Sequence, residues 1–157
     1  MRHRQAIALL ALVGLFVAIY LWLHALGVGG AIKCGESGGC EVVQTSRWAV
    51  LLGQPVALYG VVGYFAILVV ALASLRPAAL VRHGWNQVLF TLATIGFAFT
   101  VYLTYLELFA IHAICRWCVG SAVIILAIWI ISLVALRRPL SAPAPPTSPA
   151  PRTDRVA

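Results

Sequence analysis

Apolar residues run almost unbroken through four stretches of the chain, Gln5 to Leu26, Val56 to Leu75, Val88 to Ala110 and Val119 to Leu136, and polar residues collect between them. A run of about 18 apolar residues or more crosses a bilayer as a helix, because a helix satisfies its own backbone where no water can. The pattern predicts an all-α protein, a transmembrane four-helix bundle over residues 1–138. The first run follows Arg2 and Arg4, as an export signal would. Its apolar part exceeds the roughly 7–15 residues of a signal core and lacks a clean small-residue cleavage site, so it is read as helix one.

The segments between the runs are uneven. Gly27, Gly29 and Gly30 release the chain into a loop reaching Gln54, long enough to suggest a task of its own. Within it, Glu41 to Leu52 reads as a short interfacial helix with Trp48 at the membrane surface. Gly53-Gln54-Pro55 ends that helix and sets Pro55 in the first turn of helix two. Gly60 and Gly63 on helix two suit close helix packing. Arg76 to Trp85 forms a short turn, and residues 139–157, rich in Pro, Ala and Ser, read as a disordered cytoplasmic tail.

Composition sharpens this picture. With 62% hydrophobic and 10% charged residues, the chain is not an ordinary soluble globule. Its net charge of +7 would suggest nucleic acid in a soluble protein, but no basic patch is interleaved with exposed aromatics. No nucleic-acid partner is expected. The arginines sit at the ends of the apolar runs and act as topology signals: with the N-terminus inside, Arg2, Arg4, Arg76, Arg82, Arg137, Arg138, Arg152 and Arg155 lie on the cytoplasmic side and Lys33, Arg47 and Arg116 outside. That places both termini inside and all four cysteines on the extracytoplasmic side, where disulfides persist.

The cysteines carry the candidate chemistry. Cys115-Arg116-Trp117-Cys118 opens the last apolar run, so its thiols lie on one face at a helix start, where the positive end of the helix favours a thiolate. Cys34 and Cys40 lie about 75 residues upstream, separated by a segment with three glycines that lets the sulfurs close a ring or change partners. Two pairs can form a relay. Inert structural disulfides are one alternative, but a bridge between positions three apart closes too small a loop to constrain the unfolded chain much. A zinc site is another. The spacing of Cys34 and Cys40 is wider than the usual ligand pair, and no metal is assigned; His24 and His112 are read as interfacial side chains.

Glu107 is the carboxylate inside a predicted span, a costly placement that makes it a candidate for function. It would exchange protons with a two-electron acceptor near Cys118, with Arg116 as its charge partner, or simply snorkel to the interface.

These residues resemble a known family. Cys34 and Cys40 in the first outer loop, then Ser46-Arg47-Trp48, then Leu52-Gly53-Gln54-Pro55-Val56-Ala57-Leu58-Tyr59-Gly60, and Cys-x-x-Cys opening the fourth helix, are similar to the vitamin K epoxide reductase family in its bacterial branch. The resemblance spans Gln5 to about Leu136. It implies a bundle around a quinone, ubiquinone or menaquinone. Cys34 would exchange with a separate thioredoxin-like protein, Cys40 would attack the Cys115 side of the inner disulfide, and Cys118 would face the quinone. Ser46 matches a family serine near the active site, able to orient the loop or bond the acceptor. Two departures speak against reduction of vitamin K epoxide: Ala122 stands where animal members have tyrosine, and Val56 where they have asparagine.

The expected function is therefore that of a quinone-coupled thiol oxidase in the bacterial inner membrane, serving disulfide formation outside the cytoplasm. The alternatives are a dithiol-driven reductase of quinones or their epoxides, and a non-enzymatic membrane subunit with structural disulfides.

Overall fold

A computed structural model describes residues 2–28, 39–76 and 84–137. Cys34, most of the turn after helix two, and the tail from residue 138 lie outside the described residues. Four long helices carry the fold: α1 (Arg2–Ala25), α3 (Val56–Ala73), α4 (Gly84–Leu106) and α5 (Arg116–Arg137). Each is long and apolar enough to cross a membrane, α4 together with the turn that extends it to Ile111. Between α1 and α3 lie a short helix α2 (Gly39–Thr45), a single 3₁₀ turn at Arg47–Ala49, and two tiny strands, β1 (Val50–Leu51) and β2 (Gln54–Pro55).

The helices are apolar around their whole circumference, so neighbours are chosen by shape. Helix α1 packs mainly on α3 and α5, and α4 mainly on α5, whereas α3 and α4 meet more sparsely. Ile7, Ala11, Ile67, Ala71, Leu89, Ala93 and Ile128 form the fully enclosed centre. Leu9, Phe16, Phe65, Phe109 and Val123 are more than half exposed, as a lipid-facing surface requires. Helices α1 and α3 approach closely at Gly14, where a Cβ would collide with the ring of Tyr64. Of the two glycines expected to pack helix two, Gly60 does so, its Cβ position lying 3.4 Å from Ala18, while Gly63 has nothing within 4 Å and opens space instead.

Polar contacts tie the ends. Arg4, 4% exposed, donates to the Ser74 carbonyl and, at 3.0 Å, to Asn86 Oδ1, joining α1 to the end of α3 and the start of α4. Trp129 stacks on Phe97 at 5.1 Å and donates its indole N–H to Thr94 Oγ1 at 3.1 Å, fastening α5 to α4.

The interfacial segment departs from the single helix expected over Glu41 to Leu52. The helix begins earlier, taking in Gly39 and Cys40, and stops at Thr45. Ser46 ends it: its hydroxyl donates back to the Val43 carbonyl at 2.8 Å, and its backbone is extended (φ −67°, ψ 154°). Such local side-chain bonds compete with helix continuation. Val50 then pairs with Pro55 and Leu51 with Gln54 in an antiparallel hairpin. Both turn residues, Leu52 (φ 52°) and Gly53 (φ 79°), are left-handed, as a two-residue hairpin turn demands. Pro55 accordingly precedes the first turn of α3 rather than lying within it.

A dithiol and a buried carboxyl at a membrane cavity

Cys115 ends the short extended link after α4 and stands just before α5, its carbonyl accepting the Val119 N–H at 2.9 Å. Its sulfur accepts the Cys118 N–H at 3.4 Å, so the first thiol caps the helix that carries the second. Both are free thiols, Cys115 fully buried and Cys118 half-buried. The hydrogen bond from the Cys118 side chain lowers the Cys115 pKa below its ordinary value, helped by the backbone N–H groups of Cys118 and Trp117 and opposed by burial and by the charge of Glu107. A sulfur so held ionises readily.

Cys40, fully buried in α2, is disulfide-bonded. It shares one apolar cluster with Cys115, Leu21 and Val43, with Cys118 packed against its edge. Gly39 makes this approach possible, since a Cβ there would strike the Ile114 carbonyl immediately before Cys115. Thus three of the four predicted cysteines come together, and Cys34 lies outside the described residues.

Glu107 enters by an unusual turn. Helix α4 widens into a π-helical turn over Glu107–Ile111, closed by His112 in the left-handed conformation (φ 54°). The N–H groups of His112 and Ala113 both bond to the Glu107 carbonyl. The carboxyl is only 6% exposed; Oε2 accepts the Cys115 N–H at 3.2 Å, and the side chain lies beside the Cys118 thiol. Snorkelling is thereby excluded. So is the expected pairing with Arg116, which is exposed and makes no ion pair with Glu107 among the described residues.

Beside these groups lies a cavity of about 620 Å³, walled mainly by α3 and α4 and bordered by Cys118 and Glu107. Val62 and Ile95, both more than half exposed, also border it, so it reaches the lipid-facing side of the bundle. Ser46 also lines it, its hydroxyl engaged with Val43 and therefore shaping the loop. Sequence reasoning missed two further wall residues, Tyr64 and Ser121, whose hydroxyls lie 2.9 Å apart. No local motif marks that pair, because its members are 57 positions apart.

A model of the vitamin K epoxide reductase family matches residues 5–133. The chain belongs to this family. It is a multi-pass membrane oxidoreductase, and the activity that membership carries is quinone-linked redox chemistry on thiols. The residues present fit that acceptor: the cavity is within the roughly 300–1,000 Å³ of small-molecule sites, is apolar over most of its wall, and has the Cys118 thiol at its edge. A bound quinone would supply the two-electron sink; Cys118, Glu107, Gln44, Thr104 and Ser121 are among the polar lining groups that could meet its ring.

Proposed function

We propose that this family member is a bacterial inner-membrane thiol oxidase, which reoxidises a separate extracytoplasmic thioredoxin-like protein and passes the electrons to ubiquinone or menaquinone. Both termini lie in the cytoplasm, as the bias of arginines toward the inner segments indicates. Cys34 exchanges with the partner by thiolate attack through a mixed disulfide. Cys40 then attacks the Cys115 side of the inner disulfide, freeing Cys118 at the cavity. Proximity drives the second exchange, since Cys40 and Cys115 are enclosed in one apolar cluster. The carrying observation is that Cys118, one helical turn beyond Cys115, sits at the cavity edge.

Of the alternative use, a dithiol-driven reductase of quinones or their epoxides, the epoxide reaction is disfavoured by Val56, an apolar lining residue at the position where animal members hold asparagine. A non-enzymatic subunit with structural disulfides is disfavoured by the position of Cys118 at the edge of an apolar cavity.

Quinone reduction by purified protein with a reduced thioredoxin-like partner, measured for the wild type and each cysteine-to-alanine variant, tests the proposal. All four variants should be inactive, and C40A should trap Cys34 in a mixed disulfide with the partner. Survival of partner-driven quinone reduction without Cys34 or Cys40 would refute the electron path. Turnover of an epoxide would favour the reductase instead.

A further inference from the structure

Glu107 is the one acidic side chain buried among the described residues; it holds the Cys115 N–H and lies beside Cys118 at the cavity. An ionisable group in a membrane span must be held by specific partners or expelled to the interface. Here the hydrogen-bond partner is the Cys115 amide, and the carboxyl borders the same cavity as the Cys118 thiol beside it. The π-helical turn places it there. Such single wide turns interrupt an α-helix at a cost and recur where function needs a side chain re-aimed.

From this geometry we infer that Glu107 is the proton acceptor for Cys118 in the oxidation of the inner dithiol, and delivers that proton into the cavity. This rests on the proposed quinone-linked function. Closing the inner disulfide joins the Cys115 thiolate to the Cys118 sulfur, breaks the Cys118 S–H bond and releases two electrons to the quinone. The Cys118 proton passes to the Glu107 carboxylate and then to the cavity side, where quinol formation consumes it. The second proton of the quinol balances the one Cys115 loses when it ionises. Cys115 and Cys118 are the titratable side chains that interact electrostatically with Glu107; Arg116 and His112, the basic residues of the same turn, are exposed.

The test uses the full chain purified in detergent with two variants. E107Q keeps an oxygen for the Cys115 N–H and removes the base; E107D keeps the base on a shorter arm. Two readouts are needed: the pH profile of quinone reduction, and the pH dependence of Cys118 alkylation in reduced protein without quinone, read by mass spectrometry. E107Q should reduce quinone about 10²–10⁴-fold more slowly and lose one limb of the pH profile, as removal of a general base does, with E107D partly restored. Its Cys118 alkylation profile should move by about one pH unit, the scale of losing an adjacent charge. E107Q turnover within about threefold of wild type, an unmoved alkylation profile, or E107D no better than E107Q would overturn the inference. If wild-type protein reduces no quinone, the proposed function fails, and the alkylation profile still decides whether Glu107 governs the Cys118 proton.

Discussion

The Tyr64 hydroxyl donates to the Ser121 carbonyl at 2.9 Å and lies equally close to the Ser121 Oγ, linking α3 to α5 one turn beyond Cys118. Hydrogen bonds between helices in a bilayer contribute about 0.6 kcal/mol on average and at most about 1.7. Tyr64→Phe should therefore lower stability by about 1 kcal/mol while leaving the ring's packing intact. Thermal melting in detergent measures the loss; an unchanged melt would mean that the pair contributes nothing to the bundle.

The same ring rests against Gly14, where any Cβ collides with it. Overpacking of this kind costs about 1–3 kcal/mol. Gly14→Ala should destabilise the protein by that amount, and the penalty should shrink in a Tyr64→Ala background, where the obstacle is gone. A double-mutant cycle reads the coupling, and strict additivity would sink the assignment.

Gly39 sets how closely Cys40 can approach Cys115. Its Cβ would press on the Ile114 carbonyl and push Cys40 away from Cys115. Displacement of a reacting group by about 1 Å can cost about 10²-fold. Gly39→Ala should thus depress partner-driven quinone reduction by about ten- to a hundredfold, and depress reduction driven by a small dithiol acting directly on the inner pair much less. Equal losses with both donors would point to general damage.

Hydrogen bonding from Cys118 keeps the Cys115 pKa low. A lowered thiol pKa means that the thiolate persists as the pH falls through the ordinary range near about 8.5, and is lost only below the shifted value. The ultraviolet absorbance of the thiolate, followed on reduced protein as the pH is lowered, should show a step on the acid side of the ordinary range. That step should vanish in Cys115→Ala and weaken in Cys118→Ala, which removes the first of its causes.

Arg4 closes the other end of the bundle. Replacing it with Ala leaves the buried Ser74 carbonyl and the Asn86 Oδ1 without this donor. An unsatisfied buried group costs about 1–3 kcal/mol, so Arg4→Ala should lower the melting temperature while sparing thiol chemistry at the far end. A loss of cysteine exchange at unchanged stability would contradict this division.

Much of this protein was legible in its sequence because membrane insertion is decided by apolar length, a property of each segment alone. The four spans and the position of Cys115 and Cys118 at a helix start follow from that. The interfacial segment was less legible: Ser46 and the left-handed Leu52 divide it into a helix, a 3₁₀ turn and a hairpin. Tertiary structure alone decided which glycine packs a helix and which opens a cavity, that Tyr64 meets Ser121, and that Glu107 turns inward to the dithiol instead of outward to Arg116. The reason is physical. Helices that are apolar on every side carry no stripe naming their neighbours, so side-chain shape and a few buried hydrogen bonds, made between residues far apart in the chain, set the arrangement.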